Sequence, residues 1–94
     1  MKLNLRELEY FVAVAEQRHF GKASQFVNVS QPTLSMQLKK LEERLGGKLI
    51  ERLPRDAILT ALGAEVLPIA HELLRLASEF EYWRSTQKVD SVIT

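Results

Sequence analysis

The sequence predicts a mainly α-helical fold, with a core of three short helices, a small β-hairpin and one long C-terminal helix. Apolar residues recur at helical spacing in three short segments that are separated by turn-forming residues. Two β-prone runs flank a turn that contains a proline. Beyond residue 60, apolar residues repeat with alternating spacings of four and three. A chain of 94 residues suffices for one modest core, so we expect one domain.

The first two helices are predicted from capping and periodicity. Asn4 and Glu7 have the spacing of a reciprocal capping box, in which each side chain binds a backbone N–H of the other residue. The apolar residues that follow at helical spacing, and predict a helix over residues 5–17, are Leu5, Leu8, Phe11, Val12 and Ala15. Residues 18–21 break the pattern, and a second helix of about seven residues follows. The expected buried side of this second helix consists of Ala23, Phe26 and Val27.

The third helix is predicted over residues 31–45. Ser30 is its N-cap and Pro32 lies in its first turn, where a missing N–H costs nothing. A leucine stripe faces the core and consists of Leu34, Leu38, Leu41 and Leu45. The opposite, free side consists of Pro32, Thr33, Met36, Lys39, Lys40 and Glu43, with Ser35 and Gln37 on its flanks. Gly46 and Gly47 end the helix in the manner of a left-handed cap.

A hairpin over residues 49–59 and a long helix over residues 61–88 complete the prediction. Thr60 caps the long helix. Its heptad seam consists of Leu62, Val66, Ile69, Leu73, Leu76, Phe80 and Trp83. Such a seam has more apolar surface than a three-helix core can cover, so we expect a partner helix, most simply from a second copy of this chain. Pro68 is expected to kink the helix or to remove one backbone bond near residue 64, and residues 89–94 are expected to fray.

Charge is concentrated in the middle of the chain. Residues 18–55 contain eight Lys or Arg and three Glu, whereas the net charge of the whole chain is only +1. Such a basic region is either an ordinary solvated surface or an electrostatic footprint for nucleic acid. No cysteine is present, which excludes disulfides and thiol chemistry. No segment has the length and apolarity of a signal peptide or membrane span, so we expect a cytoplasmic protein.

The order of these elements favours binding in a DNA groove. Two helices joined by a tight turn and followed by an arginine-bearing hairpin constitute a winged helix-turn-helix, with the third helix as the recognition helix. Gln31 and Gln37 could read adenine edges, and Pro32 or the methyl group of Thr33 could contact a thymine methyl. The cations placed for phosphate are Lys40, Arg52 and Arg55, and the two arginines could alternatively enter a minor groove.

Several motifs also resemble one family of bacterial regulators. They are Leu8 to Glu16, Val29 to Ser35, Leu41 to Gly46, Leu49 to Arg52, and Leu59 with Thr60. Together they are similar to the N-terminal DNA-binding domain of LysR-type transcriptional regulators, over about residues 3–88. The most specific part is Ser-Gln-Pro-x-x-Ser, here Ser30 to Ser35, followed by Leu-Glu-x-x-Leu-Gly.

The resemblance implies a winged helix-turn-helix domain over residues 1–60, with the helix-turn-helix at about 20–39, and a linker helix over 61–88 that forms a homodimer. Its base-proximal residues correspond here to Gln31, Pro32, Thr33, Ser35 and Met36, with Arg52 and Arg55 from the hairpin. Met36 departs from the family, which often has arginine at this position, and Gln37, Lys39 or Lys40 could compensate. The family's effector-sensing C-terminal domain has no counterpart here, so a small-molecule or redox effector is expected only for that domain.

Other classes of function fit the sequence less well. His19 and His71 lack acids or cysteines at ligand spacing, so we expect no metal, no cofactor and no catalytic residue. Ser30 has no nucleophile motif around it. Phe80 and Trp83 are better placed for interface packing than for a ligand pocket. The remaining alternative is a helical adaptor that binds protein through its seam and basic face and does not contact DNA.

Overall fold

Four helices and one antiparallel pair of strands follow one another in the computed structural model, which describes residues 2–87. They are α1 (Leu5–Gln17), α2 (Phe20–Phe26), α3 (Gln31–Leu45), β1 (Ile50–Leu53), β2 (Asp56–Leu59) and α4 (Ala61–Gln87). The mainly helical fold with a hairpin and a long last helix is therefore confirmed. The predicted frayed tail at 89–94 and the final position of the predicted 61–88 helix lie outside the described residues.

Helix α1 occupies the centre of the core. Phe11 and Val14 on this helix are completely buried, and they lie in the same cluster as Leu34, Leu41 and Leu49 from α3 and the approach to the hairpin. The predicted leucine stripe of α3 is confirmed, because its first three members are buried and Leu45 packs against the same cluster. Burying this stripe leaves the other side of α3 exposed.

The predicted capping box at the start of α1 is wrong for Glu7. The side chain of Asn4 caps the helix by accepting a hydrogen bond from the backbone N–H of Arg6 at 2.9 Å. Glu7 is instead only 1% exposed and forms an ion pair with Arg44 near the end of α3. A buried carboxylate needs a charged partner, and this tertiary partner prevails over the local cap.

The buried side of α2 differs from the predicted one. Ala23 is buried and Val27 packs against the core, but Phe26 is 70% exposed. Spacings of three and four from Phe20 lead to Ala23, Ser24 and Val27, so position 26 lies off the buried stripe. Ser24 is buried in its place, and its hydroxyl donates to the carbonyl of Gly21 at 2.8 Å.

The hairpin is fastened to the helices at both ends. Ile50 pairs with Leu59 at its base, and Leu53 pairs with Asp56 at its tip. The carboxylate of Glu42 on α3 accepts from the backbone N–H of Leu49 at 2.8 Å and of Ile50 at 3.3 Å. An isolated two-stranded hairpin is marginally stable in water, so this anchor matters for its position.

A second anchor joins the hairpin to the end of α1. Arg18, which caps α1 in the left-handed conformation, donates to both carboxylate oxygens of Asp56 at 3.1 and 2.7 Å. The hydrogen bond from Arg18, followed by that from the backbone N–H of Ala57, holds the pKa of Asp56 below its ordinary value. Residues far apart in sequence therefore fix the strand that follows the hairpin turn.

Helix α4 begins as predicted and then divides the heptad seam. The hydroxyl of Thr60 accepts from the backbone N–H of Gly63 at 3.0 Å, which confirms the cap. A Cβ atom added to Gly63 would lie 2.1 Å from the carbonyl oxygen of Leu49, so helix and hairpin backbones meet directly there. The helix continues through Pro68, whose ring nitrogen has no proton to donate to the carbonyl of residue 64.

Only part of the predicted seam is left exposed by the rest of the chain. Its members that pack against the chain's own core are Leu62, Val66 and Leu73. Its members that are 46–64% exposed are Ile69, Leu76, Phe80 and Trp83. The chain's own core therefore covers part of the seam, because α4 packs against α1 and buries Ala70, and pairing through the seam stays a prediction. Among residues 2–87, no helix combines the length and apolarity that crossing a membrane requires.

Candidate nucleic-acid interface

The start of α3 is fixed by local hydrogen bonds. The hydroxyl of Ser30 accepts from the backbone N–H of Thr33 at 3.2 Å and donates to the Thr33 hydroxyl at 2.8 Å. Pro32 lies in the first turn, as the sequence predicts. The exposed residues Ser30, Gln31 and Pro32 therefore present a well-formed helix N-terminus, where the helix dipole and free N–H groups favour anions.

One face of α3 remains open along its length. The exposed predicted site residues on this helix are Gln31, Pro32, Met36, Lys39 and Lys40. The half-buried ones, at the margins of the face, are Thr33, Ser35 and Gln37. The predicted α3 residues therefore all lie outside the buried leucine stripe, with Met36 opposite the stripe and Gln31 and Gln37 beside it. Met36 is an apolar side chain near the middle of this face and is about half exposed.

Arg52 extends from β1 onto the start of α3. Its two terminal nitrogens donate to the Ser35 hydroxyl and to the Gln31 side-chain oxygen, each at 3.0 Å. The guanidinium carbon lies 3.8 Å from the centre of the Phe20 ring, which is a cation–π distance. We refer to Phe20, Gln31, Ser35 and Arg52 as the Arg52 cluster. It connects all three parts of the winged helix-turn-helix: α2, α3 and the hairpin.

The sequence analysis did not anticipate these contacts of Arg52. A usable pattern was present, because alternate residues of a strand point to the same face. Ile50 is buried against the helices, and Arg52, two residues later, lies on the same face. Alternation therefore directs this arginine toward α3, although it cannot identify the partners.

Arg55 lies in a different environment, at the hairpin tip. It is exposed and has a φ of 111°, which is uncommon for a residue with a side chain. A cleft of about 210 Å³ separates the tip from the start of α2, and its lining includes His19, Gln31 and Arg55. Both predicted hairpin arginines line this cleft, and Arg52 also binds side chains of α3.

The basic middle of the chain is reduced by internal ion pairs. Arg18 is paired with Asp56 and Arg44 with Glu7. Within residues 2–87, the cations of this region that form no ion pair are Lys22, Lys39, Lys40, Lys48, Arg52 and Arg55. Glu42, a nearby acid on the same helix, binds the hairpin backbone. Lys39 and Lys40 therefore keep their charge available to an anionic partner.

The two histidines have structural contacts. Nδ1 of His19 accepts from the backbone N–H of Lys22 at 3.0 Å and caps α2, a role that the sequence analysis missed. Nε2 of His71 lies 3.4 Å from a carboxylate oxygen of Glu16, which joins α4 to α1. In the part of the chain that the structure describes, no three His, Cys, Asp or Glu residues are grouped so that they could hold a metal ion.

Comparison with known proteins agrees with this geometry. The model of the family described as "Bacterial regulatory helix-turn-helix protein, lysR family" matches residues 5–64. The chain is 48% identical over 73 residues to the DNA-binding transcriptional dual regulator OxyR of Escherichia coli, which covers 78% of this chain and 24% of that protein. The chain thus spans about a quarter of the length of this curated relative.

Solved structures of two such proteins superpose closely on the chain. Full-length OxyR of Pseudomonas aeruginosa matches with a TM-score of 0.88 and 36% identity, over 94% of this chain and 30% of that one. The complex of the CbnR DNA-binding domain with DNA matches with a TM-score of 0.82 and 37% identity, over 92% of this chain and all of that one. With the family match over residues 5–64, they establish that this chain belongs to the LysR family and is a helix-turn-helix DNA-binding domain of a transcriptional regulator.

Proposed function

We propose that this domain binds specific double-stranded DNA as a homodimer, with α3 in the major groove and the hairpin on the flanking backbone or minor groove. The observation that carries the proposal is the exposed polar and basic face of α3, held outward by the buried leucines and opening at the Ser30 cap. A major groove admits an α-helix, and recognition helices read bases from their N-terminal half. The similar CbnR domain was solved in complex with DNA, which supports this arrangement.

The exposed residues divide into two proposed roles. Those near base edges are Ser30, Gln31, Pro32, Thr33, Ser35, Met36 and Gln37. Those that contact phosphate are Lys39, Lys40 and Arg55, with Arg55 placed at the hairpin tip to reach a backbone or a minor groove. Arg52 belongs to the same surface, but its contacts within the protein point to a separate role.

The proposed dimer forms through the exposed part of the α4 seam. Ile69, Leu76, Phe80 and Trp83 lie on one stripe, and the rings of Phe80 and Trp83 stack with their centres 5.9 Å apart. An apolar stripe of this kind on an otherwise charged helix favours a second copy of the same helix. Two-fold symmetry of the protein then predicts an operator with inverted half-sites, separated by about one helical turn or a multiple of it.

The wider role follows the relatives. OxyR of E. coli is described as a transcriptional dual regulator, so we propose that this domain directs a non-enzymatic regulator in the cytoplasm to its genes. Any small-molecule or redox effector would bind outside residues 2–87, in the kind of sensing domain that the resemblance implies.

Selection from a randomised duplex library with the purified chain tests the proposal. We expect enrichment of an inverted repeat and a steep loss of affinity, about a thousandfold between 50 and 200 mM salt if six or more phosphates are contacted. Lys40→Ala should lower the affinity for all duplexes alike. It should also reduce the slope of affinity against salt by about 0.9, the value for one phosphate contact. Glu79→Gln on α4 is the control and should change neither the affinity for DNA nor the salt slope.

Two outcomes would count against the proposal. The proposal would be rejected if the purified chain were monomeric and bound no duplex in preference to random competitor DNA. Binding that does not respond to salt, together with capture of a protein partner, would favour the helical adaptor.

A further inference from the structure

Arg52 uses its guanidinium group on the protein itself. Two of its N–H groups are engaged by Gln31 and Ser35, and one face of its plane is stacked on Phe20. Among the hairpin cations, Arg55 has no such partners and Arg52 has three. A residue that served mainly as a phosphate contact would keep these donors for the DNA backbone. The geometry therefore directs Arg52 toward α3 before any DNA is bound.

The contact with Arg52 fixes the orientation of the Gln31 amide. A guanidinium group carries only donors, so the amide must present its oxygen to Arg52 and its nitrogen to the other side. On that other side the Gln31 nitrogen lies near Gly21, where an added Cβ atom would be 3.4 Å from the nitrogen, an ordinary van der Waals contact, and 2.9 Å from the His19 ring. Bidentate reading of adenine requires the amide oxygen and nitrogen to face the base together. Arg52 therefore disfavours the adenine contact that the sequence suggested for Gln31.

Arg52 orients the Ser35 hydroxyl as it orients the Gln31 amide, with the oxygen toward the guanidinium group. Its hydroxyl oxygen accepts from Arg52, and the hydroxyl proton remains available to donate. Gln31 and Ser35, one turn apart on α3, are thus both left with N–H or O–H groups to offer. In the major groove guanine presents two acceptors, N7 and O6, whereas cytosine presents a donor.

We propose that Arg52 is a positioning residue for base recognition, which sets Gln31 and Ser35 as hydrogen-bond donors and thereby selects guanine at the base pair they face. This inference rests on the proposed function, since it concerns the same surface. The family often has arginine, the usual reader of guanine, at the position of Met36. In this chain Gln31 and Ser35 would provide the guanine preference instead.

The test compares base preference with salt dependence for Arg52→Lys and Gln31→Ala, separately and together. Lysine keeps the charge but loses the planar fork that holds two acceptors. We expect the wild-type chain to select guanine at one position of each half-site, and each single variant to lower that preference roughly tenfold. The double variant should lose no more than either single one, because residues that act as a unit are not additive. The salt slope should stay unchanged in all three.

Arg18→Lys is the matched control, since it weakens a two-pronged arginine contact at the same hairpin without touching α3. We expect it to leave the base preference unchanged. Ser35→Ala provides a second variant, because alanine is favourable in a helix and the domain should stay folded. It should also reduce the guanine preference.

The outcomes separate this inference from the proposed function. Additive losses, or selection of adenine at that position, would overturn the inference. A salt slope that falls by about 0.9 on replacing Arg52 by Gln would identify a phosphate contact and would also overturn it. A wild-type chain that selects no duplex would instead reject the proposed function itself.

Discussion

The two halves of α4 have the same apolar spacing but different surroundings. In residues 61–74, Leu62, Val66 and Leu73 pack against the chain's own core, and Ala70 is buried completely. In residues 75–87, Leu76, Phe80 and Trp83 are exposed. The difference arises because the core cluster extends along α4 only as far as Leu73 and Leu74, and even within the first half it leaves Ile69 exposed. Periodicity therefore defines a face of a helix, and the neighbouring elements decide what covers it.

The largest expected effect concerns the second half. Replacing Phe80 and Trp83 together by alanine should raise the dissociation constant of the proposed dimer by about thirtyfold or more, because buried aromatic residues at the centre of an interface contribute about 2 kcal/mol or more. Analytical ultracentrifugation measures this change. Tyr82→Ala is the control, since Tyr82 is equally exposed but lies off the stripe. Equal weakening by both changes would contradict the assigned stripe.

At the start of the first half, Gly63→Ala should lower the free energy of unfolding by about 2–3 kcal/mol, the upper part of the range for overpacking. The added methyl group would meet the Leu49 carbonyl oxygen, and backbone cannot move aside as a side chain can. Gly47→Ala is a matched control, because its methyl group would meet only the end of the Leu62 side chain, at 2.9 Å. Urea unfolding of both variants checks the difference, and similar losses would show that the contact is unimportant.

A smaller effect compares neighbouring seam residues in the two halves. Leu73→Ala should cost about 1–2 kcal/mol of unfolding free energy, less than the 2–5 kcal/mol of a fully buried leucine. Leu76→Ala should change the stability of the monomer little and should act on dimerisation. Thermal unfolding at several protein concentrations separates the two, because only dimerisation makes the melting temperature depend on concentration. A concentration dependence that Leu76→Ala leaves intact would remove this residue from the interface.

The smallest effect concerns an ion pair on the surface of α4. Arg75 donates to both carboxylate oxygens of Glu72, at 3.2 and 2.5 Å, and this hydrogen bonding lowers the pKa of Glu72. Since the folded pKa lies below the unfolded one, the contribution to stability is present above the unfolded pKa and is lost as the pH falls through the folded pKa. The stability difference between wild type and Glu72→Gln should therefore vanish in acid. Titration of the Glu72 carboxyl by NMR should have a midpoint below that in Arg75→Gln.

The sequence predicted the elements well because local rules agree with the fold. Helix α3 begins at the predicted cap, Ser30, with Pro32 in its first turn, and it ends at Gly46 as predicted. The buried leucine stripe determines which side of the helix is free. The face of α3 could likewise be predicted, since it is the complement of that stripe.

Residues with tertiary partners were predicted poorly. Glu7, Glu42 and Arg52 bind groups between 7 and 37 positions away, and no local spacing identifies such a partner. Phe26 was misplaced for a different reason: it lies at helical spacing from Ala23, but the buried stripe follows the spacing from Phe20. The orientation of the Gln31 amide depends on Arg52, so it could not be foreseen before the hairpin was placed beside α3.

Because Gly63 has no side chain, the start of α4 packs directly against the backbone of the residue that precedes β1. The backbone of α4 contacts the carbonyl of Leu49 directly, so we expect a tilt of α4 at its base to move the residues that lead into β1. In the proposed dimer, the angle at which the two α4 helices cross would then set the distance between the two hairpins on DNA.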